Sequence, residues 1–191
     1  MEEVMQTMSL QRKKIHPHKY ALWIAMASIT MMFIGFTSAY VVKRAQANWT
    51  TFALPHIFWV STAVILASSA TMQLAVKNFK ERNMIRYKQL ITLTAILGVA
   101  FAVCQWFGFV QMYKNGLPLN GPASASFIYV IAGVHILHVL GGVVVLLIMF
   151  ARAYRTRVRT YSAVPAEVAA TYWHFVDVLW LYLLIFFSIA R

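Results

Sequence analysis

Acid is scarce in this chain: five Asp and Glu stand against 17 Lys and Arg in 191 residues, a formal net charge of +12. Cysteine is scarcer still. The single Cys104 excludes an intrachain disulfide, a Cys-pair metal site and a cysteine-ligated iron–sulfur cluster, and its setting amid Val103 and Trp106 reads as packing. The excess of base would suit nucleic acid only if Lys and Arg clustered on one face. Here they fall in the intervals between long apolar runs, so nucleic acid is not the partner they indicate. None of the five prolines breaks an apolar run in its middle, and no inverted internal repeat is present, which removes the best sequence support for a transporter. Pro55 stands at the start of a run, where its missing N–H costs little.

What fills the chain instead is apolar. The hydrophobic fraction is 61% and the mean hydropathy +0.66, against about 45–50% apolar residues in a soluble domain. A bilayer core takes about 20 apolar helical residues to cross, and five segments qualify: 20–42, 54–76, 89–113, 124–150 and 168–190. The expected fold is all-α, a polytopic membrane protein with a single domain of five transmembrane helices over residues 20–191. Residues 1–19 read as a tail and not a signal peptide: Arg12, Lys13 and Lys14 are followed by no apolar run before Tyr20, and the run that follows lacks a small-residue cleavage site. With the N-terminus in the cytoplasm, 13 of the 17 basic residues fall inside, leaving Lys43, Arg44, Lys114 and Arg191 outside. That bias predicts a cytoplasmic N-terminus and a periplasmic C-terminus. The cluster Gly116, Pro118, Gly121, Pro122 marks an external turn between spans three and four.

The polar residues that invite a functional reading lie in spans four and five. Span five carries Tyr172, Trp173, His174, Asp177 and Trp180, and Asp177 is the only carboxylate within any membrane-length segment. An acid at that depth costs roughly 2.5–3.5 kcal/mol on insertion scales, so it is expected to face a partner or the bundle interior. Trp173, Asp177 and Trp180 follow one helical stripe, predicting a polar-aromatic side. Span four places His135, His138 and Gly142 on one face by offsets of three, four and seven. Small residues there permit close helix approach, with the imidazoles placed to hydrogen-bond across the contact.

Three histidines in two spans invite a haem or copper reading, since imidazole is a common ligand for both. At 1.5 Å per residue, His138 lies roughly 18 Å from the cytoplasmic end of its span and His174 roughly 9 Å from that of its own. A bis-histidine haem wants matched depths, and no thiolate or second carboxylate completes a metal shell, so interhelical or lipid-linked hydrogen bonding is the favoured reading. Asp177 and His138 differ in depth by about 4–5 Å, which makes a direct pair feasible. A complete proton relay lacks further acids in spans one to three. Arg152, emerging directly from span four, is placed to pair with an anionic lipid head group, at about 1 kcal/mol per basic residue. For Arg155, Arg157 and Arg159 topology alone is a sufficient reason. Glu167 reads as an N-terminal helix acid favoured by the dipole.

Taken together, His135-Ile-Leu-His138-Val-Leu-Gly-Gly142, Arg152 behind it, and Glu167 leading into Tyr172-Trp-His-Phe-Val-Asp-Val-Leu-Trp180 resemble cytochrome c oxidase subunit III. Both blocks, their order and their spacing fit that family in its short five-helix bacterial form, and Leu22-Trp23-Ile24 is similar to its first-helix opening. The resemblance implies a subunit with no catalytic centre of its own, in the bacterial inner membrane. Haem and copper would reside in a haem-bearing catalytic subunit I and a copper-centre subunit II of a proton-pumping oxidase that reduces oxygen to water. It further implies that this subunit binds phospholipid, stabilises the catalytic subunit and sustains its proton uptake. His135, His138, Gly142, Arg152, Glu167, Tyr172, Trp173, His174, Asp177 and Trp180 would then form the framework of lipid and subunit contacts. Two departures from the family pattern stand out. Many members carry an acid early in the first helix of this module, where this chain reads Ala27-Ser28-Ile29. Mitochondrial members also have two extra N-terminal helices, whose place a small subunit IV-like chain would take here. A quinol oxidase third subunit and an accessory subunit of a nitric oxide reductase are the alternatives within the family. A stand-alone haem-binding membrane protein and a small transporter are those outside it.

Overall fold

A computed structural model of the chain describes residues 17–45, 49, 54–154 and 163–190. They form five helices, α1 (Pro17–Arg44), α2 (Ile57–Lys80), α3 (Met84–Lys114), α4 (Ala123–Tyr154) and α5 (Val164–Ile189). Each is long and apolar enough to cross a membrane. Arg12, Lys13, Lys14, Arg155, Arg157, Arg159 and Arg191, which carried part of the charge argument, lie outside the described residues.

Most helix ends extend past the predicted spans, α3 beginning five residues early, because hydropathy marks the hydrocarbon-crossing portion while the backbone ladder continues until a cap stops it; α2 instead begins at Ile57, three residues after the expected start and past Pro55. Between α2 and α3 the stop is Arg82, in the left-handed region at φ 59, after which the Asn83 side chain accepts from Arg86 N–H at 3.3 Å as an N-cap. After α3, Gly116 at φ 78 turns the chain, and Leu117 N–H closes back on the Met112 carbonyl at 3.2 Å, the C-terminal closure that glycine favours. The turn expected around Gly116 is therefore in place. α5 opens with proline in its first two positions and Glu167 in its first turn, both favourable there.

α5 packs against α1, α2 and α4, and α3 against α2 and α4, whereas α1 touches only α4 and α5. Trp173, Trp180, Leu183 and Phe187 of α5 supply much of the core. Outward, large apolar side chains such as Trp23, Met31, Trp59, Trp106 and Leu137 are exposed, as hydrocarbon-facing helices require.

Candidate functional site

Trp173 is the wedge of the bundle. Its indole occupies space made by two glycines on different helices: a Cβ at Gly98 of α3 would fall 2.6 Å from Cη2, and one at Gly142 of α4 2.9 Å from Cε3. Close approach therefore needs glycine at both places. Its Nε1–H donates to Ser68 Oγ on α2 at 3.1 Å, and Ser68 donates in turn to the Thr94 carbonyl of α3 at 3.2 Å. The Thr71 and Thr94 hydroxyls meet at 2.9 Å. Two turns along, Trp180 repeats the pattern, its Nε1–H donating to Thr62 Oγ1 at 3.0 Å. Such indole-to-hydroxyl bonds satisfy the polar edge of a ring whose body is buried.

His135 lies wholly within this core, stacked on Trp180 with centroids 5.3 Å apart at 28° and met edge-on by Phe101 and Phe33. Neither ring nitrogen has a partner among the described residues. His138 turns its Nδ1 to the Val134 carbonyl of its own helix at 2.8 Å, and the Tyr172 hydroxyl donates to the His138 carbonyl at 3.0 Å. These placements correct two expectations. The span-four imidazoles do not hydrogen-bond across the helix contact, because aromatic rings enclose one and a same-helix carbonyl takes the other. His138 and Asp177 do not pair, because the Nδ1 of His138 is taken by that carbonyl and Asp177 has no hydrogen-bond partner among the described residues. His174 is the imidazole that bonds across a helix contact, with Nδ1 2.6 Å from Ser69 Oγ and Nε2 3.1 Å from Gln73 Oε1. An amide oxygen only accepts, so Nε2 carries the ring proton and the neutral ring's Nδ1 accepts from Ser69.

The stripe of Trp173, Asp177 and Trp180 is buried as expected. Asp177 is 2% exposed. Among the described residues, no three His, Cys, Asp or Glu side chains are placed to hold a metal ion, and the three span histidines look toward three different sets of neighbours.

Glu167 does more than complement a helix dipole. Its Oε2 meets Lys19 of α1 at 2.6 Å and its Oε1 meets Lys80 of α2 at 2.8 Å, so one carboxylate bridges two helices that do not otherwise touch. Sequence reasoning did not find this clamp, nor the α2 acceptors. A signal for the latter existed in Ser61, Thr62, Ser68 and Ser69, paired positions seven residues apart that share one helical face. Gln105 of α3, fully buried, was also missed; its Nε2 donates to Ser61 Oγ at 3.0 Å. Arg152 is exposed at the end of α4.

A five-span helical membrane protein whose helices are joined by indole, hydroxyl and imidazole hydrogen bonds is the class that fold and site define. The chain belongs to the cytochrome c oxidase subunit III family, whose model matches residues 18–190. It is 30% identical over 179 residues to the probable cytochrome c oxidase subunit 3 of Nocardia farcinica, covering 91% of this chain and 87% of that one. It is 26% identical to the cytochrome c oxidase subunit 3 of Bacillus sp. (strain PS3), covering 84% and 80%. The cytochrome c oxidase subunit 3 of Pelomedusa subrufa is 34% identical over 124 residues, 65% of this chain and 46% of its own length. The protein is thus a multi-pass membrane subunit of an oxidase complex.

Proposed function

We propose that this chain is the redox-silent third subunit of a proton-pumping haem-copper oxidase in a bacterial inner membrane, with its N-terminus in the cytoplasm. Haem and copper then belong to the catalytic and copper-centre subunits, and this chain stabilises the former, holds phospholipid beside it and sustains its proton uptake. The observation that carries the reading is the family match from residue 18 to residue 190, which takes in both polar blocks. The geometry agrees with a non-catalytic role: Trp173, Gly142 and Tyr172 join helices, and Glu167 clamps them. The framework of His135, His138, His174, Asp177 and Trp180 is built for a stable docking body. Arg152, exposed at a helix end, is suited to a lipid phosphate. A small subunit IV-like membrane chain is the expected neighbour of α1, the least covered helix.

Purification of the complex in mild detergent tests the reading. Co-purification of haem-bearing and copper-centre subunits supports it. A partner set lacking the copper-binding cysteines, with oxygen consumption driven by quinol, would move the assignment to a quinol oxidase, and nitric oxide consumption would move it to a nitric oxide reductase. Removal of this subunit should leave the initial turnover rate largely intact and shorten the working life of the enzyme. Immediate loss of oxygen reduction would overturn the non-catalytic role.

A further inference from the structure

Glu167 joins α1 to α2 at one end of the bundle, and the way α1 is seated gives that contact more leverage than its strength alone. α1 is anchored over only half of its length. Its buried side chains are Phe33, Thr37 and Tyr40, and the first apolar side chain of α1 packed against the core is Ile29. Over residues 17–28, roughly 18 Å of helix, no side chain is buried. Near the outer end of that stretch Lys19 meets Glu167 at 2.6 Å. The other half is held by shape. Phe33 lies edge-on to His135 and His138, the Thr37 and Tyr182 hydroxyls meet at 2.9 Å, and Tyr40 packs on Phe127, Phe186 and Phe187.

Thr30 stands at the border of the two halves, and its hydroxyl donates back to the Met26 carbonyl at 2.8 Å. A threonine bonded to the carbonyl four residues earlier competes with the backbone ladder and often bends a helix. A bend of about 20° there, the size that marks a kink, carries Lys19, roughly 16 Å away along the helix, by about 6 Å. That displacement breaks the ion pair. Glu167 does not follow, because α5 is keyed into the bundle by Trp173 and Trp180 and the second Glu167 oxygen meets Lys80 of α2 at 2.8 Å.

We propose that Glu167 is a latch and Thr30 a hinge. With the Lys19 pair closed, residues 17–28 of α1 are held to α5; with it open, they swing outward while the half from Phe33 to Tyr40 stays seated. α1 and α2 make no contact of their own, so the swing widens the mouth between them. Thr171 and His174 follow Glu167 by four and seven residues and share its face of α5, so that face is what the open latch uncovers. An ion pair between partly exposed groups answers to charge and ionic strength, whereas packed rings do not. The latched end is therefore the adjustable end of α1.

Distances between paired spin labels test both parts in the full chain in lipid bilayers, with Cys104→Ser removing the native thiol. Ala21→Cys and Ile85→Cys, both exposed, report the latched end; Val41→Cys and Val130→Cys, also exposed, report the seated end. Glu167→Gln should raise the long-distance population of the first pair about fivefold, the most that an exposed ion pair carries, and leave the second pair unchanged. High salt should do the same in the unaltered latch. Lys80→Gln, which keeps the Lys19 pair, should leave both pairs unchanged, and Thr30→Ala added to Glu167→Gln should reduce the opening. An unaltered first pair in Glu167→Gln would overturn the latch. Broadening at both pairs, the signature of a loosened fold or of α1 leaving as a whole, would overturn the hinge, and so would full opening without the Thr30 hydroxyl. None of these outcomes depends on which oxidase the chain joins, so failure here is distinct from failure of the assignment above.

Discussion

α1 and α5 are both apolar and both long enough to span a bilayer, yet they hold their places in opposite ways. Eleven residues of α5 are buried, among them two tryptophans and an aspartate. α1 buries three, Phe33, Thr37 and Tyr40. α5 is keyed into neighbouring helices by shape, with an indole against two glycines and indole N–H groups on α2 hydroxyls. α1 is attached at separate points: the Lys19–Glu167 ion pair at one end, a 2.9 Å contact between the Thr37 and Tyr182 hydroxyls partway, and Tyr40 among Trp49, Phe127 and Phe186 toward the other end. In lipid, where apolar surface gains nothing from leaving water, packing and hydrogen bonds are what hold helices together. Hydrophobicity therefore does not predict how firmly a span is fixed; the fit of its side chains does.

Trp173→Ala should do the greatest damage, since truncating a buried tryptophan costs about 3–5 kcal/mol and leaves Ser68 without its donor. Detergent unfolding followed by residual subunit content in the purified complex measures it, and a loss below that of any α1 substitution would break the contrast. Gly142→Val comes next, at about 1–3 kcal/mol for overpacking, because its Cβ would enter the Trp173 ring. Gly133→Ala on the same helix, with nothing within 4 Å of the added Cβ, is the control and should be nearly neutral. The hydroxyl contact between α1 and α5 ranks third: Thr37→Val should weaken α1 docking by about 0.6 kcal/mol, a typical interhelical value in membranes, read as increased protease or crosslinker access to α1. Glu167→Gln is the mildest in stability, since both lysines are substantially exposed and such pairs yield about 0–1 kcal/mol. Its effect should vanish at high salt, which would separate the clamp from packing.

Much of this was legible without coordinates. The five spans, the buried stripe of Trp173, Asp177 and Trp180, and the small-residue face around Gly142 follow from spacing alone, because a helix repeats every 3.6 residues wherever it packs. The family blocks in spans four and five were readable too. Which neighbour each polar group meets was not. His135 and His138 looked equivalent on the sequence, yet one is sealed among rings and the other turned to its own backbone. Asp177 looked ready to pair with a histidine and instead lies buried with no hydrogen-bond partner among the described residues.

The sequence by itself determined that this chain is a helical membrane protein with His135, His138, His174 and its one intramembrane carboxylate in the two C-terminal spans, since insertion and helicity depend on composition along the chain and on local periodicity. Only the tertiary structure decided that Gly98 and Gly142 make room for one indole, that Glu167 joins two helices that do not otherwise touch, and that His174 meets Ser69 and Gln73 of α2. Those facts depend on the rotation and neighbour of each helix, which side-chain fit selects and which no single span encodes.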